Sequence, residues 1–293
     1  MTSPQSVPEF CIRNLVVLVD GTAETRAAVA AAATVARWSH AGVHLLYFIQ
    51  SRDYAMGVPQ TYAGIVAELR HRHKAELIEI AASETLRGLE PRIHVERSEI
   101  AEGLGAFTRD NAIDLVVVGS AGKAGLVKWF EGSAAEDAFR NADTPVMVLG
   151  PNAVAAVSPQ GFRRILCATD LSAGSRPAAA YAMALGGRCH ASVTLLYVMP
   201  DDAKRSERRD VMIAGAASAL RRWAALNGSS GAEQVVSEGV PAKVISELAA
   251  DMKADLIVAG AKRMPALGIT GAWATAYAVM REAHCPTVLV REP

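Results

Sequence analysis

The sequence predicts two α/β domains in tandem, each an open, doubly wound five-stranded parallel sheet, and three observations lead there. The chain repeats itself once, its apolar runs are continuous and do not alternate, and helical stretches separate them. The repeat begins where Leu15–Asp20 (LVVLVD) is answered by Ile165–Asp170 (ILCATD), an offset of 150. Arg26 then falls on Arg176, Ala28 on Ala178, His40 on His190, and Leu45-Leu46-Tyr47 on Leu195-Leu196-Tyr197. Later the offset drops to 141, with Asp114–Gly119 (DLVVVG) facing Asp255–Gly260 (DLIVAG) and Pro145 facing Pro286. The second copy is therefore nine residues shorter, and the deficit lies between Tyr197 and Ala254. Gly150–Gly161 is rich in Pro, Gly, Ser and small residues, which marks a joint. The expected division is residues 1–152, a linker at 153–162, and residues 163–293.

The elements follow in order. In the first copy the apolar runs are 15–19, 43–49, 93–97, 114–118 and 146–149, and in the second 165–169, 193–199, 234–237, 255–259 and 287–290. Continuous Val, Ile and Leu suit parallel strands covered by helices on both faces. Helices are expected at 24–38, 61–86, 101–110, 134–141, 175–186, 205–226, 241–252 and 273–283. The Ala-rich stretch from Ala27 to Ala36 lies between Arg26 and Arg37 and reads as a buried helix, not a membrane span. Pairing of the two fifth strands, 146–149 and 287–290, would make the chain a pseudo-dimer and cover two open edges.

Composition excludes several classes. Thirty Lys and Arg balance thirty Asp and Glu, so no net field draws the chain to nucleic acid or an anionic bilayer. Cys11, Cys167, Cys189 and Cys285 are scattered, without CxxC or His at metal-ligand spacing, and residues 1–14 lack the basic start and apolar run expected of a signal peptide. A cytoplasmic protein with no metal site of its own is the expectation.

In doubly wound sheets ligands lie outside the carboxyl ends of the strands. After the fourth strand of the first copy the chain reads Gly119-Ser-Ala-Gly122, a short loop, then Gly132-Ser133 opening a helix at Ala134. Glycines let backbone N–H groups approach a ligand, and a helix N-terminus offers free donors and partial positive charge suited to phosphate. Ser133 adds a hydroxyl donor or an N-cap. The same residues taken singly fit a tight turn and a capped helix.

This arrangement resembles the universal stress protein family, whose ATP-binding members carry G-x2-G-x9-G-[S/T] after the fourth strand. Gly119, Gly122, Gly132 and Ser133 match it, and the resemblance extends over both copies through Asp20 and Asp170, Gly239-Val240-Pro241, Pro145 and Pro286. The resemblance implies the adenine-nucleotide α-hydrolase-like fold. It places Asp20 at the adenine or ribose, Phe48 by the base, and Val118, Gly119, Gly122, Gly132, Ser133 and Ala134 about the ribose and phosphates. It implies ATP, ADP or AMP as ligand, with Mg²⁺ in some members, a stress-response role through an unidentified protein partner, and dimers of chains as a further assembly. No base, arginine finger or carboxylate pair fixed to a phosphate site can be assigned, so hydrolysis is expected to be slow at most. The second copy departs from the motif: Gly260 is kept, but Arg263, Trp273 and Ala274 replace the remaining positions. It is expected to keep the fold and lose the phosphate cradle, with Asp170 serving chiefly as a helix cap.

Two other readings stand beside this one. A ligand-free interaction module would use the fold alone. An adenylating or ATP-hydrolysing enzyme of the same wider group would show an S-G-G-x-D-S loop where this chain has Asp20–Glu24. Among the remaining constellations, His71 and His73 read as a solvated basic patch, Gly103-Leu-Gly105 as an incomplete dinucleotide fingerprint, and Lys204–Arg209 as a solvated helix start. The recurring His40 and His190 read as capping or packing residues at the end of the first helix, and Cys285 as core.

Overall fold

The computed structural model describes residues 10–22, 24–54, 61–120, 138, 142–153, 161–200, 209–261 and 272–291, with the side chains of 261, 272 and 273 left aside. Ten strands form one sheet in the order β3-β2-β1-β4-β5-β10-β9-β6-β7-β8. The first five are β1 (Asn14–Leu18), β2 (Gly42–Ile49), β3 (Arg92–Arg97), β4 (Leu115–Gly119) and β5 (Val146–Leu149). The second five are β6 (Arg164–Thr169), β7 (Ser192–Met199), β8 (Glu233–Glu238), β9 (Leu256–Ala261) and β10 (Thr287–Arg291). Every ladder is parallel except the central one, where β5 and β10 run antiparallel with Thr287 on Val148, Val288 on Met147 and Leu289 on Val146. That seam joins the two copies into the expected pseudo-dimer and leaves as edges β3 and β8, which carry Arg92, Glu96, Arg97, Glu233 and Glu238. Charged residues on edges discourage pairing with other chains.

The helices are α1 (Thr25–Ser39), α2 (Tyr62–Ala81), α3 (Ile100–Asp110), α4 (Arg176–Cys189), α5 (Arg209–Leu226), α6 (Pro241–Asp251) and α7 (Ala272–Glu282). The helix expected at 134–141 lies outside the described residues apart from Ala138, and so do Lys204–Arg208. None of the described helices is long and apolar enough to cross a membrane. α1 buries Ala28, Ala31, Ala32, Ala33, Val35 and Ala36, because small side chains let a helix sit close against the strands.

β2 shows how the sheet sorts its side chains. Val43, Leu45 and Tyr47 face the α1 and α2 layer, while His44, Leu46 and Phe48 face α3. Both α1 and α4 end in the left-handed conformation, at His40 (φ 59°) and His190 (φ 55°), whose N–H groups donate to Ala36 O and Gly186 O. The recurring histidines are thus helix C-caps, a position that usually favours Gly or Asn. The recurring Asp114 and Asp255 act at the other end of the strands. Asp114 Oδ2 accepts from the N–H groups of Arg13 (2.7 Å) and Asn14 (3.1 Å), and the Asp255 carboxylate accepts from Arg163 and Arg164. Each staples the start of the central strand of its own half.

The halves also meet outside the sheet. Phe10 packs edge-on to Tyr181 and Trp38 to Phe162, with centroids 5.1 and 6.2 Å apart. Asn152 Nδ2 donates to Arg281 O at 3.1 Å, and Arg291 Nη1 to Ala142 O at 3.0 Å. Gly150 lies so close to the Met280 carbonyl that a Cβ there would meet it.

Candidate functional site

The carboxyl ends of β1 and β2 frame a cleft of about 100 Å³ in the first half. Its floor is Leu18, Leu46 and Phe48, and its rim carries Asp20, Tyr47, Gln50, Arg52 and Asp53, with Ile100 at the start of α3. Asp20 is held hard by its own loop. Its Oδ1 accepts from the Thr22 N–H (3.1 Å), the Thr22 hydroxyl (2.7 Å) and the Thr25 hydroxyl (3.0 Å), closing an Asx turn that leads into α1. Gly21 takes the left-handed conformation within it, φ 72°. Phe48 is buried, its ring against Gly103, where a Cβ would come within 2.7 Å of it. That contact accounts for Gly103, the residue that begins the incomplete fingerprint.

Gly119 ends β4 beside this cleft. A Cβ there would lie 2.5 Å from Glu24 O, so the glycine lets the start of α1 press against the strand. Gly260 does the same in the second half, where a Cβ would lie 2.9 Å from Gly174 O. Val118 is buried in the strand. Gly122, Gly132, Ser133 and Ala134 lie outside the described residues. The structure therefore brings Asp20, Phe48, Val118 and Gly119 to one end of the sheet.

Tyr47, Gln50, Arg52 and Ile100 are additions to the residues singled out from sequence. All lie at the carboxyl end of β2 or the start of the helix after β3, where the doubly wound rule places ligands. The loop after β2 is tied to α3: Glu99 Oε1 accepts from Ser51 N–H (2.7 Å) and Ser51 hydroxyl (2.5 Å), and these bonds hold the carboxyl below its ordinary pKa. Arg52 is thereby carried on an anchored turn. Tyr47 stacks on His73 of α2 with centroids 3.7 Å apart, and burial first, then the nearby Asp53 carboxylate, push its phenol to about 12. His73 is buried, bonded through Nδ1 to Glu76 Oε2 at 3.1 Å, and not part of a solvated patch. Its spacing from His71 put the two on different faces, and the missing signal was that the inner face meets Tyr47. Among the described residues no group of three or more His, Cys, Asp or Glu could hold a metal ion.

The second half carries the corresponding loop in altered form. Asp170 Oδ1 accepts from Ser172 N–H (2.9 Å) and the Ser175 hydroxyl (2.8 Å), matching Thr22 and Thr25, and Leu171 takes the left-handed conformation that Gly21 has, φ 62°. A cavity of about 250 Å³ opens there at the ends of β6, β7 and β9. Cys167 and Cys285 are buried, and burial raises both thiols to about 12, so neither is poised as a nucleophile.

The model of the universal stress protein family matches residues 12–150 and again 161–291. The chain belongs to the universal stress protein family. Two matches, one on each half of the sheet, make it a tandem member. Its overall structure is similar to that of a universal stress protein from Archaeoglobus fulgidus, at 15% identity and a TM-score of 0.71 over 96% of this chain and 97% of that one. A functionally unknown protein from Pseudomonas aeruginosa is similar at 17% identity and a TM-score of 0.59, over 95% and 92%. At such identities these likenesses speak for the fold of this universal stress protein. No curated protein sequence matches it.

Proposed function

We propose that this universal stress protein is a cytoplasmic regulatory protein that binds ATP, or another adenine nucleotide, at the carboxyl end of the sheet in its first half, residues 1–152. The observation that carries the reading is the cleft between Asp20, Phe48 and Arg52, set beside Gly119 and the motif continuing to Gly132-Ser133. Phe48 supplies an apolar wall for a base, Asp20 an acceptor for a ribose hydroxyl, and Arg52 a cation for phosphate. Gly122, Gly132, Ser133 and Ala134 would approach the phosphates through backbone N–H groups at a helix start. Mg²⁺, where present, would arrive with the phosphates, since the described residues offer no ligand cluster.

Binding is read as the output and turnover as incidental. Donors that hold ground-state phosphates equally before and during reaction do not lower the chemical barrier. Steady-state hydrolysis is expected below about 1 s⁻¹, the low end of ordinary enzyme rates. Mass spectrometry of the purified chain should find adenine nucleotide, calorimetry should give one site per chain, and Gly132→Trp should abolish it. Turnover above that rate would favour an enzyme, and no thermal shift at millimolar ATP would favour a ligand-free module.

A further inference from the structure

We infer that Phe48 is a specificity-determining residue of the first-half site: seated on Gly103, its ring limits how far a base can enter, at a position where the second half is open. This rests on the nucleotide reading proposed above and adds to it the side chain that decides which bases are accepted.

The two halves can be compared position by position, because β7 follows β2 at an offset of 150 and α6 follows α3 at an offset of 141. Phe48 of β2 corresponds to Val198 of β7, and Gly103 of α3 to Val244 of α6. The exchange is paired. A Cβ at Gly103 would come within 2.7 Å of Phe48 Cε1 and 3.0 Å of Ser98 Oγ, so the ring has its seat only where the helix carries glycine. In the second half the helix carries the branched Val244, the strand carries the shorter Val198, and both pack on one core cluster.

The consequence is a difference in depth. Leu18 and Phe48 are 2% and 6% exposed, whereas Ala168 and Val198 in their places are half-buried walls of the second-half cavity. Ala259 lines that cavity too, and its counterpart Val118 is fully buried. At each of these three positions the first half has the larger side chain. The space that measures about 250 Å³ in the second half is about 100 Å³ in the first. Small-molecule pockets begin at about 300 Å³, so a purine bound in the first half lies against the Phe48 ring at the mouth and not in a slot behind it. Protein interiors are close-packed and yield little, so a substituent on the inner edge of the base meets that ring.

The test measures the affinity of the full chain for ATP, 2-methylthio-ATP, N6-benzyl-ATP, 8-bromo-ATP and tripolyphosphate by calorimetry, in wild type, Phe48→Val and Phe48→Leu. Phe48→Val should raise the affinity of at least one substituted nucleotide relative to ATP by about tenfold or more. Phe48→Leu keeps more of the side chain, should shift the same ratio in the same direction by less, and carries the test if melting curves show Phe48→Val unfolded. Gly103→Ala drives the ring towards the mouth. It should weaken ATP relative to tripolyphosphate at least about fivefold in wild type and less than about twofold beside a shortened residue 48, since the contact with Ser98 is common to both backgrounds. An unchanged analogue-to-ATP ratio in the folded variants, or an equal loss from Gly103→Ala in both backgrounds, overturns the inference while ATP binding still supports the first-half site. ATP that binds neither wild type nor any variant refutes the first-half reading itself, and the role of Phe48 falls with it.

Discussion

Acid should destabilise the first half through one buried pair of histidines. His44 of β2 and His94 of β3 stack with centroids 5.1 Å apart and planes 7° apart, and His44 Nδ1 lies 3.1 Å from His94 Nε2. Phe107 of α3 meets both edge-on, His44 is fully buried, and its Nε2 has no partner among the described residues. Burial, then the charges of His94 and Arg92, lower His44 from 6.5 to about 4. His94 is lowered too, chiefly by burial, against the opposing pull of Glu96. The folded pKa of His44 lies below the unfolded one, so between them the unfolded chain binds the proton more readily. Stability is full above pH 6.5 and is lost as pH falls towards 4. The shift corresponds to about 3 kcal/mol in all, of which roughly 2 kcal/mol should be gone at pH 5. Urea unfolding of wild type and His44→Leu at pH 7.5 and pH 5 reads this group together with its contact to His94, since the remaining titrations are common to both. The variant should lose about 2 kcal/mol less than wild type between the two pH values. Equal losses would show that His44 is already solvated or partnered in the folded chain, and the argument from burial would fail.

Three further outcomes are expected. Gly119→Ala places a Cβ against the Glu24 backbone, and should cost about 1–3 kcal/mol in unfolding free energy; an unchanged melting temperature would show that α1 can retreat. Val148→Pro with Val288→Pro introduces a residue without an N–H into both strands of the antiparallel seam, and should lower stability and loosen the two halves, as read by calorimetry and small-angle scattering; wild-type values for both would refute the seam. Asp20→Ala should cost about 0.5–2 kcal/mol by undoing the Asx turn, while Asp20→Asn keeps an acceptor for Thr22 and Thr25; equal stability of the two variants would deny the turn its role.

Most of the fold was legible because its signals are periodic and repeated. All ten apolar runs became strands within a residue or two, and the recurrence of Asp20, His40 and Asp114 in the second copy marked positions that any copy of the fold must satisfy. The site was legible only in part. Gly119 and Phe48 do lie at the carboxyl end of the sheet, but nothing in the sequence says that Gly119 yields to Glu24, because that contact joins residues far apart in the chain. Arg52 escaped because a lone Arg in a loop carries no pattern, and Tyr47 because its recurrence at Tyr197 marks a shared strand position without saying what its ring meets. His73 was misread because its surroundings are set by the packing of α2 on β2. The second cavity was invisible for a related reason: alanines at the ends of strands and helices look like ordinary core until the structure shows that nothing fills the space between them.

The two halves act as controls for one another. Residues kept in both, Asp20 and Asp170, Gly119 and Gly260, Asp114 and Asp255, His40 and His190, are accounted for by turns, close approaches, strand staples and helix caps. The aspartates and the first glycines also lie at a strand end where a ligand could touch them, so shared identity alone cannot separate the two uses. What differs between the halves is better evidence of ligand chemistry. Ile100 against Pro241 exchanges an N–H for none. Backbone freedom at Gly21 is replaced by Leu171 in a left-handed conformation, held by a hydrogen bond from its N–H to Thr169 Oγ1 at 3.0 Å. A branched side chain there costs free energy that glycine would not. Part of that cost is offset by the packing of Leu171 on the core, and the turn it forms is the one that holds Asp170 at the mouth of the cavity. The fold is thus maintained twice by the same devices, while the groups at the two strand ends have diverged in hydrogen-bonding capacity.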